Sequence, residues 1–142
     1  MTNVRFAVAV HVLTLLAHAQ EPCTSAFIAG SVNTHPVVVR RILGALQRAA
    51  LVTGQTGPGG GFRLAKAASK VKLSDVFLAV EDGAAPASHQ PNPQCPVGRQ
   101  VKGLVADVGH RAEKAFLASL AGQTVEDLVR VVKKRAGSAA SC

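Results

Sequence analysis

The segment from Asn33 to Ala65 constrains this chain more than any other, because it runs a turn, a basic-faced helix and a glycine-rich hairpin together without a break. Asn33-Thr34-His35-Pro36 reads as a turn that opens a helix, with Pro36 in the first turn, where its missing N–H has no intrahelical partner. Over residues 36–49, Val39, Ile42, Leu43 and Leu46 recur at spacings of three, one and three, a stripe that must face a core. Two residues along a helix turn the chain by about 200°, so Val37, Arg40, Arg41, Gly44 and Gln47 point outward. Leu51–Thr56 and Phe62–Ala65 then read as short strands flanking Gly57-Pro58-Gly59-Gly60-Gly61, whose glycines permit positive φ and close approach to another surface.

The flanking segments are mainly helical. Residues 3–19 are apolar nearly all round, with Val4, Val8, Leu15 and Leu16 among them, and are expected to be buried on several faces. After Glu21-Pro22, Thr24 or Ser25 caps a short helix through about Ser31 that carries Phe27, Ile28 and Ala29. Ser74 is expected to cap another helix ending near Val80, followed by a loop rich in Ala, Pro, Ser and Asn. From Pro96, Val101, Leu104, Val105, Val108, Ala112, Ala115, Phe116 and Leu120 form a stripe at spacings of three and four. A helix of that length, roughly 35 Å at 1.5 Å per residue, exceeds what a small domain needs for its own core and points to self-association. Gly103 and Gly109 interrupt it at about 1 kcal/mol each relative to Ala, tolerable where a second helix approaches closely. Thr124, with Asp127 three residues later, opens a last helix whose Val125, Leu128, Val129 and Val132 share a face, and Lys133-Lys134-Arg135 lead into a tail.

This order predicts a mainly α fold with a small β wing: a winged helix-turn-helix domain over residues 1–82, a loop over 83–96, a dimerisation helix and C-terminal helix over 97–136, and a tail. At 142 residues, 48% hydrophobic, the chain can bury one sizeable core. Residues 1–80 hold eight bases and two acids, a net +6, whereas 81–142 hold eight bases and six acids, a net +2. Counterion release rewards such a concentration of bases on a phosphate backbone. Aromatics make up 4% with no Trp or Tyr, which argues against stacking of single-stranded bases, while the winged order points to duplex DNA.

The expected DNA contacts are Thr34, His35, Val37 and Val38 at the base edges, where a valine meets a thymine methyl, and Arg40 and Arg41 on phosphate or guanine. Gln55, Gly59, Gly60 and Arg63 are the expected wing contacts. A nucleotide cradle is not indicated, since the glycines lead into a strand and lack the Gly-Lys-Ser/Thr that a Walker loop needs.

Cys23, Cys95 and Cys142 are an odd number at wide spacing, which fits neither a disulfide framework nor a Cys-x-x-Cys metal knuckle and suggests a reducing, cytoplasmic setting. Cys95 precedes the long helix, where the helix N-terminus favours a thiolate; it is the candidate sensor, expected to alkylate faster than Cys142. A thiol-based redox enzyme using Cys95 is the alternative, although no base or resolving thiol accompanies it. Neither a cofactor nor a metal is expected: histidines 11, 18, 35, 89 and 110 lack ligand spacing, and His89, Cys95 and His110 form only a scattered set. His11, among apolar neighbours, reads as a core or interface group. Arg5, the run Phe6 to Ala17 and Ala17-His18-Ala19 resemble an export signal, but a single Arg precedes the run, His11 and Thr14 interrupt it, and it is too short to span a bilayer.

Most of the chain resembles the Rrf2 type of bacterial transcriptional regulators. The likeness rests on Phe6-Ala7-Val8-Ala9-Val10-His11, on Ile28-Ala29, and on Arg41-Ile42-Leu43 through Leu46 to Ala49-Ala50-Leu51-Val52. It continues in Gly57-Pro58-Gly59-Gly60-Gly61-Phe62-Arg63-Leu64-Ala65 and Leu73-Ser74-Asp75-Val76 through Val80-Glu81, and the glycine wing combined with that Val-Glu is its specific part. The resemblance implies a homodimeric DNA-binding regulator, here expected to be a repressor on a palindromic operator, whose long helix crosses its two-fold mate and which answers to a redox or small-molecule effector. Members that hold an iron-sulfur cluster place three closely spaced cysteines before that helix. This chain has Cys95 alone there, so a cluster ligated in that way is not expected.

Overall fold

A computed structural model describes residues 4–81 and 89–137. Among them the helices are α1 (Val4–Ala19), α2 (Ser25–Val32), α3 (Pro36–Arg48), α4 (Leu73–Val80), α5 (Pro96–Ala121) and α6 (Val125–Ala136), with strands β1 (Val52–Gln55) and β2 (Gly61–Leu64). The expected boundary at residue 82, residues 83–88 of the following loop, and Cys142 lie outside the described residues.

Helix α1 is the post around which the rest assembles, touching α2, α3, α4, α6 and β2. Its Phe6, Ala9, Val12, Leu13, Leu15 and Leu16 are buried, as an all-round apolar helix requires. Val4 departs from the expectation: it stands 77% exposed, because two residues along the helix put it about 200° from the buried Phe6. Arg5 next to it ties α1 to the end of α4 through Nε donating to the Val80 carbonyl at 2.9 Å. The predicted stripe of α3 is buried in full, Val39, Ile42, Leu43 and Leu46 all lying in the core with Leu13 and Ile28. Cutting such a side chain to Ala costs about 2–5 kcal/mol, from lost transfer energy and the cavity left behind.

The wing is a two-stranded antiparallel hairpin pairing Val52 with Leu64, Thr53 with Arg63, Gly54 with Phe62 and Gln55 with Gly61. Both strands are trimmed at their outer ends relative to the sequence reading, and Gly61 belongs to β2 rather than to the loop. Gly61 adopts a φ of +146° and passes so close to the Cys23 carbonyl that a Cβ would lie 2.7 Å from its oxygen. Glycine is therefore needed at that crossing.

One further expectation is corrected at the joint between α4 and α6. Ser74 does not cap α4; the helix starts at Leu73, Lys72 takes the cap position without a side-chain bond, and Ser74 is buried. The reason is long-range pairing: Leu73 N–H donates to the Gln123 carbonyl at 2.9 Å, and Val125 N–H donates to the Val71 carbonyl at 3.0 Å. That short bridge sets where α4 begins and carries α6 back onto α1, burying Val125 and Val129. The capping box expected at Thr124 and Asp127 is present, with Thr124 N–H donating to Asp127 Oδ2 at 2.9 Å and Asp127 N–H donating to Thr124 Oγ1 at 3.3 Å. The backbone and side-chain hydrogen bonds from Thr124 hold the Asp127 carboxyl below its ordinary pKa, with a smaller push from the Arg130 guanidinium.

Helix α5 is 26 residues long, about 39 Å at 1.5 Å per residue. Only its C-terminal end is packed: Phe116 meets Phe77 of α4 edge-on at 5.0 Å between centroids, and Phe77 meets Phe6 of α1 at 5.7 Å. The predicted stripe upstream is uncovered, with Leu104, Val105 and Val108 each more than half exposed. Gly103 and Gly109 face open space.

Candidate nucleic-acid interface

The turn between α2 and α3 is built by local hydrogen bonds that the sequence specifies residue by residue. Thr24 Oγ1 accepts from Phe27 N–H at 3.2 Å and caps α2. Asn33 closes α2 in the left-handed conformation, φ 58° and ψ 52°, a role its short polar side chain tolerates. Thr34, half-buried, donates its N–H to the Ala29 carbonyl at 3.1 Å. His35 then caps α3, its Nδ1 accepting from Val37 N–H at 3.2 Å, and Pro36 follows at the first helical position.

With its inner stripe fixed in the core, α3 presents the opposite face to solvent. His35, Val37, Val38, Arg40 and Arg41 are all exposed. No carboxylate occurs in α3, and among the described residues none pairs with Arg40, Arg41 or Arg63, since both ion pairs found there belong to Arg130. Gln47 and Arg48 continue the same surface toward the helix C-terminus, and both are exposed. Arg48 was not among the expected contacts. Its spacing signals it, for it lies seven residues after Arg41, which is within about 20° of two full turns.

The wing stands beside the C-terminal half of α3. Gly54 of β1 comes so close to that helix that a Cβ there would lie 3.0 Å from Gln47 Nε2. At the tip, Gly57-Pro58-Gly59-Gly60 forms a turn in which Gly60 N–H donates to the Gly57 carbonyl at 2.9 Å and Gly59 has a φ of +73°, the pattern of proline and glycine at the centre of a type II turn. A Cβ on Gly60 would collide with the Gln55 carbonyl, so this glycine shapes the turn. Gln55, Gly59 and Arg63 are exposed. Arg63 also borders a cleft of about 250 Å³ at the wing's foot, with Lys66 and Gln20. The tip itself meets no other element: a Cβ on Gly57 or Gly59 would find nothing within 4 Å.

The remaining expected residues lie elsewhere. Cys95 occupies the cap position of α5 and is half-buried; its Sγ makes no capping bond, and its carbonyl accepts from Arg99 N–H at 3.0 Å. Cys23, just before the helix-turn-helix, is 5% exposed and paired through its backbone with β2. His11 is not a core group: it lies exposed on α1, with Nε2 3.0 Å from Ser31 Oγ. Among the described residues no three of His, Cys, Asp and Glu gather to hold a metal.

A basic helix with no acid, carried outward on a turn and flanked by a glycine-tipped hairpin, defines a winged helix-turn-helix DNA-binding protein. The comparisons with known proteins narrow this to one family. Residues 2–131 match the family described as Rrf2, iron-dependent transcriptional regulator, and the chain belongs to it. Its members are transcriptional regulators and not enzymes, which sets aside the thiol-enzyme alternative. YwnA of Bacillus subtilis (strain 168), named as an HTH-type transcriptional regulator, is 34% identical over 131 residues that span 91% of this chain and 97% of YwnA. The structure of IscR from T. potens aligns over 99% of this chain and 93% of that one with a TM-score of 0.74 at 16% identity. CymR, the global cysteine regulator of B. subtilis, aligns over 92% of this chain and 97% of its own with a TM-score of 0.68 at 19% identity. At those identities the last two likenesses are of fold alone. Iron appears in the family's description, yet Cys23 here is 5% exposed and among the described residues no three of His, Cys, Asp and Glu gather around Cys95, so no step is assigned to iron.

Proposed function

We propose that two copies of this chain bind a palindromic operator and repress transcription from it in the cytoplasm. Each recognition helix would enter a major groove, the two about 34 Å apart along one face of the duplex. Arg40 and Arg41 grip phosphate or guanine; Thr34, His35, Val37 and Val38 face the bases; Gln55, Gly59, Gly60 and Arg63 follow the adjacent backbone or minor groove. The observation that carries this reading is the outward, acid-free face of α3, whose arginines have no partner among the described residues. The uncovered stripe of α5 supports the dimer, because apolar side chains exposed in a row along a helix call for a second surface. Cys95 is the proposed point of entry for a redox signal. A cleft of about 400 Å³ between α1, the end of α2 and α6, lined by His11, His18, Ser31, Leu128 and Val131, supports a small-molecule signal as the second reading.

Selection of bound duplexes from random DNA, run with reduced and with oxidised protein, tests this. A two-fold symmetric sequence enriched by one form more than the other is the expected result. Failure to enrich any sequence defeats the operator, and identical enrichment by both forms defeats Cys95 as sensor.

A further inference from the structure

The first turns of α3 are unusual in what they offer a base edge. His35 spends the lone pair of Nδ1 on Val37 N–H, so the neutral ring carries its proton on Nε2 and presents a donor outward. Val37 and Val38 follow, 41% and 38% exposed, two isopropyl groups held in solvent. Arg40 and Arg41 add donors only. From His35 to Arg41, therefore, the helix shows the groove donors and methyl groups and has no side-chain acceptor left.

The major groove offers three kinds of feature: acceptors on guanine N7 and O6, adenine N7 and thymine O4; donors on the exocyclic amines of cytosine and adenine; and the thymine methyl. Within that stretch nothing accepts from the amines; the nearby acceptor oxygens belong to Thr34, ahead of the cap, and to Gln47, at the far end of the helix. Its apolar pair matches the methyl, and its cationic donors match guanine. We propose that Val37 and Val38 read thymine 5-methyl groups, making each half-site one of thymines beside guanine that is recognised by methyl contact rather than by hydrogen bonding to exocyclic amines. This rests on the DNA-binding reading above. Charge complementarity commits the valines to DNA as their occupant, because the exposed Arg40 and Arg41 follow them within a turn, with Arg48 further along, on a helix with no acid.

The test uses the intact protein and a duplex recovered by the selection. Each thymine of a half-site is replaced in turn by deoxyuridine, which removes the methyl and leaves every hydrogen-bonding group in place. At one or more positions affinity should fall about fourfold, the ratio that ~0.8 kcal/mol for one buried methyl gives. In Val37→Ala or Val38→Ala the same replacement should then make no difference, since the partner group is gone. Both side chains are exposed, so an unchanged thermal midpoint shows that these variants fold. Full affinity for the deoxyuridine duplexes overturns the proposal, as does undiminished sensitivity in both variants. Enriched half-sites made only of G·C pairs also overturn it while leaving DNA binding intact, whereas a selection that enriches nothing removes the underlying reading as well.

Discussion

Cys23 and Phe62 exchange both of their backbone hydrogen bonds, Cys23 N–H to the Phe62 carbonyl at 2.9 Å and Phe62 N–H to the Cys23 carbonyl at 2.8 Å. The linker before the helix-turn-helix thus acts as a one-residue third strand of the wing, and the hairpin is bonded to the unit that aims α3. Gly61, at that crossing, has a φ of +146° and the Cys23 carbonyl against it, while Gly59 at the tip has a φ of +73° and open space. Gly61→Ala is expected to cost about 2–3 kcal/mol and Gly59→Ala about 1 kcal/mol, the excess coming from the collision. Denaturant midpoints of the two variants measure this, and equal losses would mean that the pairing does not hold the wing.

Arg40→Ala with Arg41→Ala removes two cations from the exposed face of α3 without touching its buried stripe. Operator affinity is expected to fall at least tenfold, and the slope of log affinity against log salt to shrink by about one for each phosphate that is no longer neutralised. Titration at several salt concentrations reads both quantities; binding that matches the parent chain in both would remove these arginines from the interface.

Replacing Leu104 and Val108 by Asp places charge on the uncovered stripe of α5, where neither side chain supports the core. Sedimentation should show a monomer of unaltered thermal midpoint, with operator affinity reduced by about a hundredfold or more once two half-sites are no longer linked. A variant that sediments as the parent does would refute α5 as the dimer helix.

Asp127 has its carboxyl pKa depressed below 3.8, chiefly by the Thr124 hydrogen bonds. A depressed folded-state value means that the stabilisation is present above 3.8 and is lost as pH falls through the lower folded value. Thermal midpoints between about pH 5 and pH 2 should therefore decline less in Asp127→Asn, which cannot titrate, than in the parent. Thr124→Ala should cost about 1 kcal/mol at neutral pH through loss of the cap. Parallel acid limbs for the parent and Asp127→Asn would show that the box does not supply the pH dependence.

Cys95 is half-buried and Cys23 is enclosed at 5% exposure. Under native conditions an alkylating reagent should modify Cys95 well before Cys23, with Cys23 reacting only as the protein unfolds. Mass spectrometry of a time course distinguishes the two, and simultaneous modification would show that the Cys23–Phe62 pairing opens readily.

Much of the recognition surface was legible in the sequence because local chemistry writes it. Thr24 as cap, Asn33 and Pro36 in the turn, the stripe from Val39 to Leu46, and Pro58-Gly59 at the wing tip each follow from interactions between residues a few positions apart. Val37, Arg40 and Arg41 were placed outward by helical geometry alone, and they are exposed. The capping box at Thr124 and Asp127 belongs to the same class.

The tertiary structure decided what depends on partners distant along the chain. Nothing around Cys23 announces that it pairs with Phe62, and nothing around Ser74 announces that bonds from the neighbouring Val71 and Leu73 to the Gln123–Val125 segment will move the helix start and turn the serine inward. Backbone groups pair irrespective of side-chain identity, so such bridges leave little signature in composition or periodicity. The sequence alone determined that this chain carries a basic helix beside a glycine-tipped hairpin. Only the packing of α1 and α4 against it determined how that helix is held, because it is burial among distant segments that leaves Arg40 and Arg41 facing solvent while their neighbours vanish into the core.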